Sequence, residues 1–554
     1  MNNIEFSNLK RKQTVAKLSK ENFDLVVIGG GITGGGIALD AASRGLKVAL
    51  VEKNDFASGT SSKSTKLIHG GLRYLKQFDF WLVKEVGSER AIVHKLAPHL
   101  VLPEKMLLPL IENGSYGKWL TSVGLKVYDI LAQVTGDDKR RMLEKKEALK
   151  LEPLLPKKIL KGAGYYAEYR TDDARLTIEN IKTSLQFGAT TLNYASVTDF
   201  IYKEEKIAGV TVKDMLSGKN FTINSKYVIS AAGPWVDELR SVNNSKKGKR
   251  LHLTKGVHLV FPKEKLPVKQ SVYFDIPDGR MMFAIPRGKV TYVGTTDTNF
   301  NLDKDNVRTD LADAIYLLSA VNNMFPKINL EMEDIVSSWA GLRPLIHEEG
   351  KSASELSRKD EIFTSDTGLI SIAGGKLTGY RKMAERVVDR IVKKLEEEHQ
   401  TKTKACTTDK IPLCGNEFKK FKHVKKYIAA IYDRINNDGF TEHDAWFLVT
   451  NYGKQTETIL EYYSKRKEKD NPTRLILAEL QFGIAYEMVQ DPMDFFIRRT
   501  GRLYFDIDSV RHFMESVLME FKSIYEVDDA QLVAWRKILQ DELKEHSNFS
   551  MERI

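Results

Sequence analysis

The amino-acid sequence predicts an α/β fold joined to a separate α-helical domain. Apolar runs at residues 23–28 and 47–51 flank a glycine-rich turn and an alanine- and leucine-rich segment, as in the strand–helix–strand beginning of a Rossmann-like domain. Several strand-like runs between residues 251 and 300 predict a second, mainly antiparallel sheet. Within residues 411–554, helix formers dominate and apolar residues recur at helical spacing, which indicates a C-terminal helical domain.

The composition divides the chain into three sections. Residues 1–22 form a basic N-terminal arm, and residues 23–400 form the Rossmann-like domain, interleaved with the antiparallel sheet. The antiparallel part is expected mainly within 95–225 and 250–335, and the helical domain within 411–554. A length of 554 residues is several times that of a usual domain, so more than one domain is expected.

Cysteine content and charge exclude several classes of protein. Cys406 and Cys414 are the only cysteines, too few for a disulfide framework or an iron–sulfur site, and they suit a reducing cytoplasm. Residues 1–20 lack the apolar run that export requires, and no run of about 20 apolar residues could span a bilayer. The formal net charge of +11 suits nucleic acid, an anionic membrane or simple solubility. No nucleic-acid-binding motif accompanies this charge, so nucleic acid is not expected as a partner.

The glycine-rich turn after the first strand fits the pattern G-x-G-x-x-G. Gly29 makes the tight turn, Gly31 lets the backbone approach a pyrophosphate, and Gly34 allows close packing of helix on strand. The amino terminus of the following helix supplies amide donors and partial positive charge. Glu52 ends the second strand about 20 residues later, where a carboxylate accepts from the ribose hydroxyls and repels a 2′-phosphate. The pattern predicts a dinucleotide site that disfavours NADP; the alternative is a glycine turn with only a structural role.

Two features outside this turn favour FAD over NAD. A loop of small hydroxyl side chains follows the second strand, and it places Thr60, Ser61 and Ser62 to line a cofactor. Much later, an apolar strand at residues 370–373 leads into a second glycine pair and a long helix to about residue 399. A helix amino terminus there can point at the ribityl chain or the pyrimidine end of a flavin. An NAD enzyme has no use for so distant a contact, so FAD is the expected cofactor.

The remaining elements are expected from local patterns. Residues 81–150 are expected to be mostly helical, with breaks at prolines such as Pro103 and Pro109. Short apolar runs flank a Ser-Gly-Lys turn at residues 217–219, which predicts a hairpin. A strand at residues 227–230 then enters another glycine-containing turn.

Longer stretches of the chain resemble the FAD-dependent sn-glycerol-3-phosphate dehydrogenases, within the D-amino-acid-oxidase-like flavoprotein superfamily. They are VVIGGGITGGGIALDAASRGLKVALVEKNDFASGTSSKSTKLIHGGLRYL, AAGPWVD, KGVHLVF, VGTTDT, WAGLRPL and IAGGKLTGYRK. The segment STKLIHGGLRYL is the most specific, because general FAD fingerprints do not contain it. The resemblance covers essentially the whole chain after the arm, and the helical tail suits the family's C-terminal cap. It implies oxidation of glycerol 3-phosphate to dihydroxyacetone phosphate, with FAD taking a hydride.

The resemblance also implies roles for individual residues. Those expected to bind the substrate are Arg73, Tyr74, Arg343 and Lys376. Arginine suits a phosphate because its planar fork gives two parallel donors, and Arg343 is expected either to bind it or to stabilise the developing alkoxide. His258 is the expected base for the C2 hydroxyl proton, because an unperturbed histidine pKa of about 6.5 suits that task. The residues expected to bind FAD are Gly29, Gly31, Gly34, Glu52, Thr60, Ser61, Ser62, His69, Gly233, Gly375 and Thr378.

Each of these assignments has a structural alternative. Arg73, Arg343 and Lys376 could form ordinary surface salt bridges. His258 could be a hydrogen-bonded histidine of the core, and Trp339 is expected in the core or in a cavity wall.

The electron acceptor leaves alternatives open. Dehydrogenases of this type resemble peripheral membrane enzymes that deliver electrons to a quinone, and basic residues with short apolar segments would serve such a contact. Residues 10–20 or residues 418–426 could supply it, unless each is only a solvated helix face. The expected partners are glycerol 3-phosphate, a quinone, the inner face of the cytoplasmic membrane and a second copy of the chain in a homodimer.

Three other functions compete with this interpretation. A glycerol-3-phosphate oxidase of the same fold would use oxygen and form peroxide, but such oxidases tend to carry an extra segment that is not obvious here. An amine or amino-acid oxidase is disfavoured because three cations suit a dianion better than a zwitterion. A non-enzymatic flavin-binding protein would need neither a base nor a phosphate site.

Overall fold

The chain forms two β-sheets and a C-terminal group of helices, in a computed structural model that describes residues 6–70, 80–112, 114, 139–347 and 360–549. The strands in chain order are β1 Asn22–Ile28, β2 Val48–Val51, β3 Leu67–Ile68, β4 Leu102–Ile111, β5 Arg141–Glu144, β6 Leu160–Arg170, β7 Thr190–Leu192, β8 Ala195–Lys203, β9 Lys206–Asp214, β10 Asn220–Ser230, β11 Leu251–Pro262, β12 Ser271–Asp275, β13 Met281–Arg287, β14 Val290–Gly294, β15 Thr298–Asn299, β16 Ser337–Ile346, β17 Glu361–Thr364 and β18 Ile370–Ala373. The helices are Arg11–Lys20, Ile32–Ser43, Phe80–Leu96, Lys145–Leu151, Asp173–Leu185, Val236–Val242, Leu311–Met324, Tyr380–His399, Phe421–Ile435, Glu442–Tyr452, Thr456–Lys465, Asn471–Tyr486, Arg502–Phe505, Ile507–Tyr525 and Asp529–Glu545.

The first sheet is the Rossmann-like one, with the strand order β17-β18-β10-β1-β2-β7. Its pairs are parallel from β18 to β7, while β17 is antiparallel to β18. The central strand β2 is apolar throughout and β1 is apolar over residues 25–28, because one core buries them together with the helices Ile32–Ser43 and Tyr380–His399. The carboxyl ends of β1, β10 and β18 therefore meet at one edge of the sheet, where the turns that follow them come together.

The second sheet is mainly antiparallel, as the sequence predicts. Its strand order is β15-β11-β14-β13-β12-β4-β6-β3, with β16 paired to β11 and β5 paired to β6. The pair β12–β4 is parallel. The register of β11 and β16 sets His258 opposite Trp339 and Thr254 opposite Arg343. Because directly opposed residues in an antiparallel pair share a face, this register brings two predicted site residues near the same part of the sheet.

The prediction of mostly helical structure over residues 81–150 is wrong for part of that range. The helix Phe80–Leu96 forms, but the segment that follows is the strand β4, which contains both Pro103 and Pro109. β4 pairs with β12 only at Met106 and Leu107. The two prolines lie nearer the ends of β4, where β12 does not pair with it and no backbone N–H is needed for a hydrogen bond to β12.

Two other boundaries differ from the sequence expectation. The predicted hairpin at 217–219 forms between β9 and β10, but both strands belong to the first sheet, as do β7 and β8. Residues 190–225 are therefore not part of the antiparallel sheet. The basic arm is also folded onto the protein, because Arg11–Lys20 is helical and buries Leu18 in the core of the first sheet.

The C-terminal domain is helical, as predicted, and ion pairs buried in the protein attach it to the rest of the chain. Arg499 donates from both terminal nitrogens to Asp55, at 2.8 Å each, and Arg175 donates to Glu487 at 2.6 Å. Paired ions in a dry interface fix the relative position of two elements, because separating them would leave charges buried alone. None of the helices in the described ranges is long and apolar enough to cross a membrane.

Candidate active site

The turn after β1 leaves no room for side chains. Gly29 has φ +114°, and a Cβ on Gly34 would lie 1.8 Å from the carbonyl oxygen of Gly29. Gly31 precedes the helix Ile32–Ser43, and a Cβ there would lie 3.1 Å from Ser61 Oγ. Gly29 thus reverses the chain and Gly34 lets helix and strand touch, as the pattern predicts, while the approach of a pyrophosphate to Gly31 stays a prediction.

Glu52 closes the same turn from the end of β2. Its carboxylate accepts hydrogen bonds from the backbone N–H of Gly30 at 2.7 Å and of Asn54 at 3.0 Å. Burial raises the pKa of Glu52, and the two N–H donors oppose that rise. The carboxylate faces the cavity described next, where it remains able to accept further hydrogen bonds from a ribose.

A cavity of ≈ 330 Å³ opens at the edge where β1, β10 and β18 end. Its wall combines the glycine turn after β1, the hydroxyl loop after Glu52, the start of β8, the turn after β10 and the second glycine pair after β18. The predicted site residues in this wall are Gly29, Gly31, Glu52, Thr60, Ser61, Gly233, Gly375 and Lys376. Segments that are far apart in sequence therefore converge on one cavity, as expected where parallel strands end together.

The hydroxyl loop contributes two of its three predicted side chains to the cavity. Ser61 Oγ accepts a hydrogen bond from the N–H of Ile32 at 2.9 Å, which places the loop on the amino terminus of the helix. Thr60 Oγ1 donates to the carbonyl of Leu342 at 2.7 Å. Ser62 is buried and does not belong to the cavity wall; its own carbonyl accepts from Lys66 Nζ at 3.0 Å.

Two of the predicted cofactor residues lie outside the cavity wall and contact each other. Thr378 Oγ1 lies 3.1 Å from both the backbone N–H and the carbonyl oxygen of His69. Neither residue is in the cavity wall, so the pair joins the segment after β3 to the turn after β18. Gly34, which also lies outside the wall, has only the packing role described above.

His258 is buried beside the cavity and held on several sides. Its ring stacks on Trp339 at a centroid distance of 4.7 Å and an interplanar angle of 13°. Nε2 lies 3.0 Å from Thr65 Oγ1, and the Tyr292 hydroxyl donates to the Thr65 carbonyl at 3.0 Å. Burial lowers the pKa of His258 well below its ordinary value, and the nearby Arg343 and Lys66 lower it further. The imidazole is therefore neutral at physiological pH and keeps one lone pair.

Arg343 lies on β16, next to Pro344 of the cavity wall. Its Nη1 donates to the Thr296 carbonyl at 2.9 Å and approaches Asp297 Oδ1 at 3.2 Å. Its Nη2 donates to Thr295 Oγ1 at 2.7 Å. These contacts fix the plane of the guanidinium, which is needed if its remaining donors are to bind a substrate oxygen.

The other predicted substrate residues divide into two groups. Lys376 lies in the cavity wall, immediately after the second glycine pair. Arg73 and Tyr74 lie outside the described residues, so their contacts with a substrate stay predictions.

The structure gives three further residues specific contacts at the site. Asp173 lies in the cavity wall, accepts from the Ser64 N–H at 3.0 Å and forms an ion pair with Lys66 that is buried in the protein. Thr65, in the loop before β3, and Trp339, on β16, both contact the ring of His258. Only the neighbouring hydroxyl-rich motif could have drawn attention to Thr65.

The residues of the wall fit FAD. The side-chain-free turn at Gly29 and Gly31 suits a pyrophosphate, the helix that follows supplies donors, and the Glu52 carboxylate suits a ribose. The second glycine turn, where Gly375 has φ +85°, brings the strand end of β18 to the same cavity. A nicotinamide dinucleotide would use the first turn only.

Comparisons with known proteins show the family to which the chain belongs. A model of the FAD dependent oxidoreductase family matches residues 24–424, and one of the C-terminal domain of alpha-glycerophosphate oxidase matches residues 406–532. The aerobic glycerol-3-phosphate dehydrogenase of Bacillus subtilis (strain 168) is 51% identical over 94% of each chain. The protein of the same name from Staphylococcus aureus (strain MRSA252) is 46% identical over 98% of this chain and 99% of its own.

Solved structures of related proteins are also similar to this chain. The glycerol-3-phosphate dehydrogenase from Bacillus halodurans, complexed with FAD, is similar to this chain with a TM-score of 0.84 and 43% identity, over 99% of this chain and 100% of that one. The L-alpha-glycerophosphate oxidase from Mycoplasma pneumoniae has a TM-score of 0.55 at 20% identity, over 70% and 97%, which is a likeness of fold alone.

Proposed function

The chain belongs to the aerobic glycerol-3-phosphate dehydrogenases, a family of FAD-dependent oxidoreductases, and from that premise we propose its reaction. It oxidises sn-glycerol 3-phosphate to dihydroxyacetone phosphate, and the electrons pass to a quinone at the inner face of the cytoplasmic membrane. The FAD that it binds supplies a two-electron acceptor for the hydride that leaves C2.

The observation that carries the proposal is the cation in the wall of the dinucleotide cavity. Lys376 follows the second glycine pair directly, and Arg343 lies one residue from the wall on β16. A phosphate monoester carries about −1.5 to −2 charges at neutral pH, so two cations at or next to the cavity wall match its charge. Arg73 and Tyr74 are proposed to complete this phosphate site.

Holding the cofactor falls to the residues of the first and second turns. Gly29 and Gly31 leave space for the pyrophosphate, Glu52 accepts from the ribose, and Thr60 and Ser61 offer hydroxyl groups along the wall. This arrangement orients the dinucleotide and excludes water from the edge of the sheet.

His258 is the proposed base for the C2 hydroxyl. If Nε2–H donates to Thr65 Oγ1, the lone pair belongs to Nδ1, which has no hydrogen-bond partner among the described residues. Burial and the nearby cations lower the pKa of His258, so the ring is neutral and Nδ1 keeps its lone pair. The same effects make the ring a weaker base than the unperturbed histidine that the sequence prediction assumed. The proton then resides at Nδ1, while Arg343 stabilises the negative charge that develops on the substrate oxygen.

A second candidate function differs only in the acceptor. The C-terminal match carries the name of an oxidase domain, which favours glycerol-3-phosphate oxidation with oxygen as the acceptor. Peroxide formation at the rate of substrate turnover would favour this oxidase, and its absence, with rapid reduction of a quinone analogue, would favour the dehydrogenase.

Substitutions of the two cations test the substrate class. We expect Arg343→Met and Lys376→Met to lower kcat/KM for glycerol 3-phosphate by at least about thirtyfold each, because losing one partner of a buried charge pair removes about 2–5 kcal/mol. The slow oxidation of glycerol, which has no phosphate, should change far less. The visible flavin spectrum of each variant verifies that FAD is retained, and an equal loss with both substrates would contradict the phosphate assignment.

A further inference from the structure

A second cavity, of ≈ 230 Å³, lies between the C-terminal domain and the loop after Glu52, and it is named here the interdomain cavity. Its wall comes from Ser58 and Lys63 of that loop, from residues 305–309, from residues 338–340 of β16 and from two parts of the C-terminal domain. Among the described residues, only Ser58 lines both this cavity and the dinucleotide cavity. The two cavities are therefore separate, but one loop contributes to both.

Apolar and aromatic side chains form part of the wall of the interdomain cavity. Met493, Ile497 and Tyr504 come from the C-terminal domain, and Trp339 comes from β16. The rings of Trp339 and Tyr504 are buried, with their centroids 5.1 Å apart. A concave wall with aromatic side chains suits the apolar body of a small ligand.

Lys63 places a positive charge in the same wall. Its ammonium group forms no hydrogen bond or ion pair with any described residue. Desolvation lowers the pKa of Lys63, and the nearby Arg498 and Arg308 lower it further, while Glu542 and Asp305 oppose this shift. A negative charge bound beside Lys63 would therefore be favourable, because it would compensate for the lost water and for the neighbouring arginines.

The other charged side chains of the wall already have partners. The pairs are Arg498 with Asp55 and Asp494, Arg308 with Glu545, Asp305 with Lys53, and Glu542 with His546. The charges of the described wall are thus matched apart from Lys63. A ligand with one negative charge suits this wall better than a phosphate dianion, which needs more than one cation.

Thr309 adds a second polar group without a partner. Its side chain is 8% exposed, and its Oγ1 has no hydrogen-bond partner among the described residues. Buried hydroxyl groups are normally hydrogen-bonded, because their loss of water is otherwise uncompensated. Thr309 and Lys63 can both donate, so the acceptor that suits them is a carboxylate.

We propose that the interdomain cavity is a binding site for a small carboxylate with an apolar body, such as an aromatic or branched carboxylic acid. The carboxylate accepts from Lys63 and Thr309, and the body lies against Trp339 and Tyr504. The cavity is smaller than the about 300–1,000 Å³ of sites for drug-sized ligands, so the ligand is smaller than these. None of the residues predicted to bind FAD or glycerol 3-phosphate lines this cavity within the described part of the chain, so the site is distinct from the proposed reaction.

A ligand-observed NMR titration of the oxidised, FAD-loaded protein with phenylacetate tests the proposal. We expect phenylacetate to bind with a Kd below about 5 mM. Phenylacetamide has the same body without the charge, and acetate has the charge without the body. Each of these two probes should bind at least about tenfold more weakly than phenylacetate.

Two variants locate the probe. Lys63→Met removes the cation, and we expect it to raise the Kd of phenylacetate at least about tenfold; Thr309→Val removes the hydroxyl and should raise the Kd about threefold or more. Lys393→Met is the matched control, because the Lys393 side chain is 76% exposed on the helix Tyr380–His399, and it should bind phenylacetate like the parent. The Tm and the flavin content of each variant verify its fold.

The substrate site is the alternative location for this probe. Arg343→Met should bind phenylacetate like the parent, and the probe should leave the visible flavin band unchanged. The proposal is overturned if phenylacetate does not bind below about 5 mM, or if phenylacetamide binds equally well. It is also overturned if Lys63→Met and Thr309→Val both bind like the parent, or if Arg343→Met loses binding. Because no turnover is measured, these outcomes are independent of whether glycerol 3-phosphate is the substrate.

Discussion

In the proposed reaction, Thr65 determines which nitrogen of His258 accepts the proton. Its Oγ1 lies 3.0 Å from Nε2, and the Tyr292 hydroxyl fixes Thr65 through its carbonyl. Trp339 stacks on the ring and fixes its plane. The histidine is thereby limited to one orientation and, with Nε2–H as donor, to one tautomer.

Replacing Thr65 tests this arrangement. Thr65→Val keeps the shape but removes the acceptor, and a buried donor left unsatisfied costs about 1–3 kcal/mol, so we expect kcat to fall by about tenfold to a hundredfold. Thr65→Ser, which keeps the hydroxyl, should retain most of the activity. The flavin content of both variants should equal that of the parent, and a Thr65→Val enzyme with full kcat would contradict the role of Thr65.

His99 gives a prediction about stability and pH. Burial lowers its pKa to about 3, with Arg175 and Lys182 adding to the effect, and neither ring nitrogen has a hydrogen-bond partner among the described residues. The unfolded chain binds a proton on this histidine below about pH 6.5 and the folded chain does not, so stability falls as the pH falls through this range. Between about pH 7.5 and about pH 5 the loss from this group is about 2 kcal/mol.

The measurement compares the parent with His99→Gln. The free energy of unfolding of the parent should fall by about 2 kcal/mol more than that of the variant over the same pH interval. Because both proteins keep His258 and all other titrating groups, the difference isolates His99. Equal pH dependence in the two proteins would mean that folding does not lower the pKa of His99.

For single residues, the sequence predicts those of the glycine turns but not the residues that contact them in space. Gly29, Gly31 and Glu52 belong to one local pattern, so their spacing is enough to predict them. The contact between Thr65 and His258 spans 193 positions, and it depends on how β11 and the hydroxyl loop meet in space. No local pattern contains that information.

At the scale of elements, the first turn depends on close contact between the helix Ile32–Ser43 and β1. A Cβ on Gly34 would lie 1.8 Å from the carbonyl oxygen of Gly29, a distance that no real Cβ contact has. We expect Gly34→Ala to yield protein without FAD, or insoluble protein. Gly379→Ala is the control, because a Cβ there meets no atom within 4 Å and its φ is −91°. Normal FAD content in Gly34→Ala would contradict the packing role of Gly34.

The C-terminal domain supports the loop after Glu52 through Asp55. Asp55 is buried and accepts from Arg499, from Arg498 at 2.5 Å and from Asn193 at 3.0 Å. Burial alone would raise the pKa of Asp55, but the two arginines hold it below its ordinary value. The loop after Glu52 is thus anchored to a domain that contributes no described residue to the cavity wall.

Removing this anchor should loosen the cofactor. Arg499→Met leaves the Asp55 carboxylate short of a partner, which costs about 3–5 kcal/mol, and we expect lower FAD content after gel filtration and a lower Tm. Arg511→Met is the control, because Arg511 pairs with Asp508 on the surface, where an ion pair contributes about 0–1 kcal/mol. Equal FAD content and Tm in both variants would show that the anchor does not support the site.

Element type could be predicted where the pattern is local and strong. The strands at 23–28 and 370–373, the hairpin at 217–219 and the helix to residue 399 form as predicted. β4 could not be predicted because its prolines argue against a strand, and the structure tolerates them only through its particular pairing. The sheet to which β7, β8 and β9 belong could not be predicted either, because an antiparallel hairpin pattern does not reveal its neighbour in space.

At the scale of the whole molecule, the order of the strands in the two sheets determines where the site forms. The carboxyl ends of β1, β10 and β18 meet at one edge, and the second sheet brings β11 and β16 beside it. The residues predicted to bind cofactor and substrate therefore converge from distant parts of the chain. The sequence predicts both sheets and the family, while the convergence itself requires the three-dimensional arrangement. The C-terminal helices then fix the loop after Glu52 through the contacts of Arg499 with Asp55.

An anaerobic titration tests the central claim most directly. Purified yellow protein is mixed with sn-glycerol 3-phosphate without oxygen, and the visible absorption band of the flavin is followed; glycerol serves as the control. The account predicts that the band bleaches with glycerol 3-phosphate, that glycerol leaves it almost unchanged, and that a quinone analogue restores it. No bleaching by glycerol 3-phosphate in protein that retains its FAD would contradict the proposed reaction.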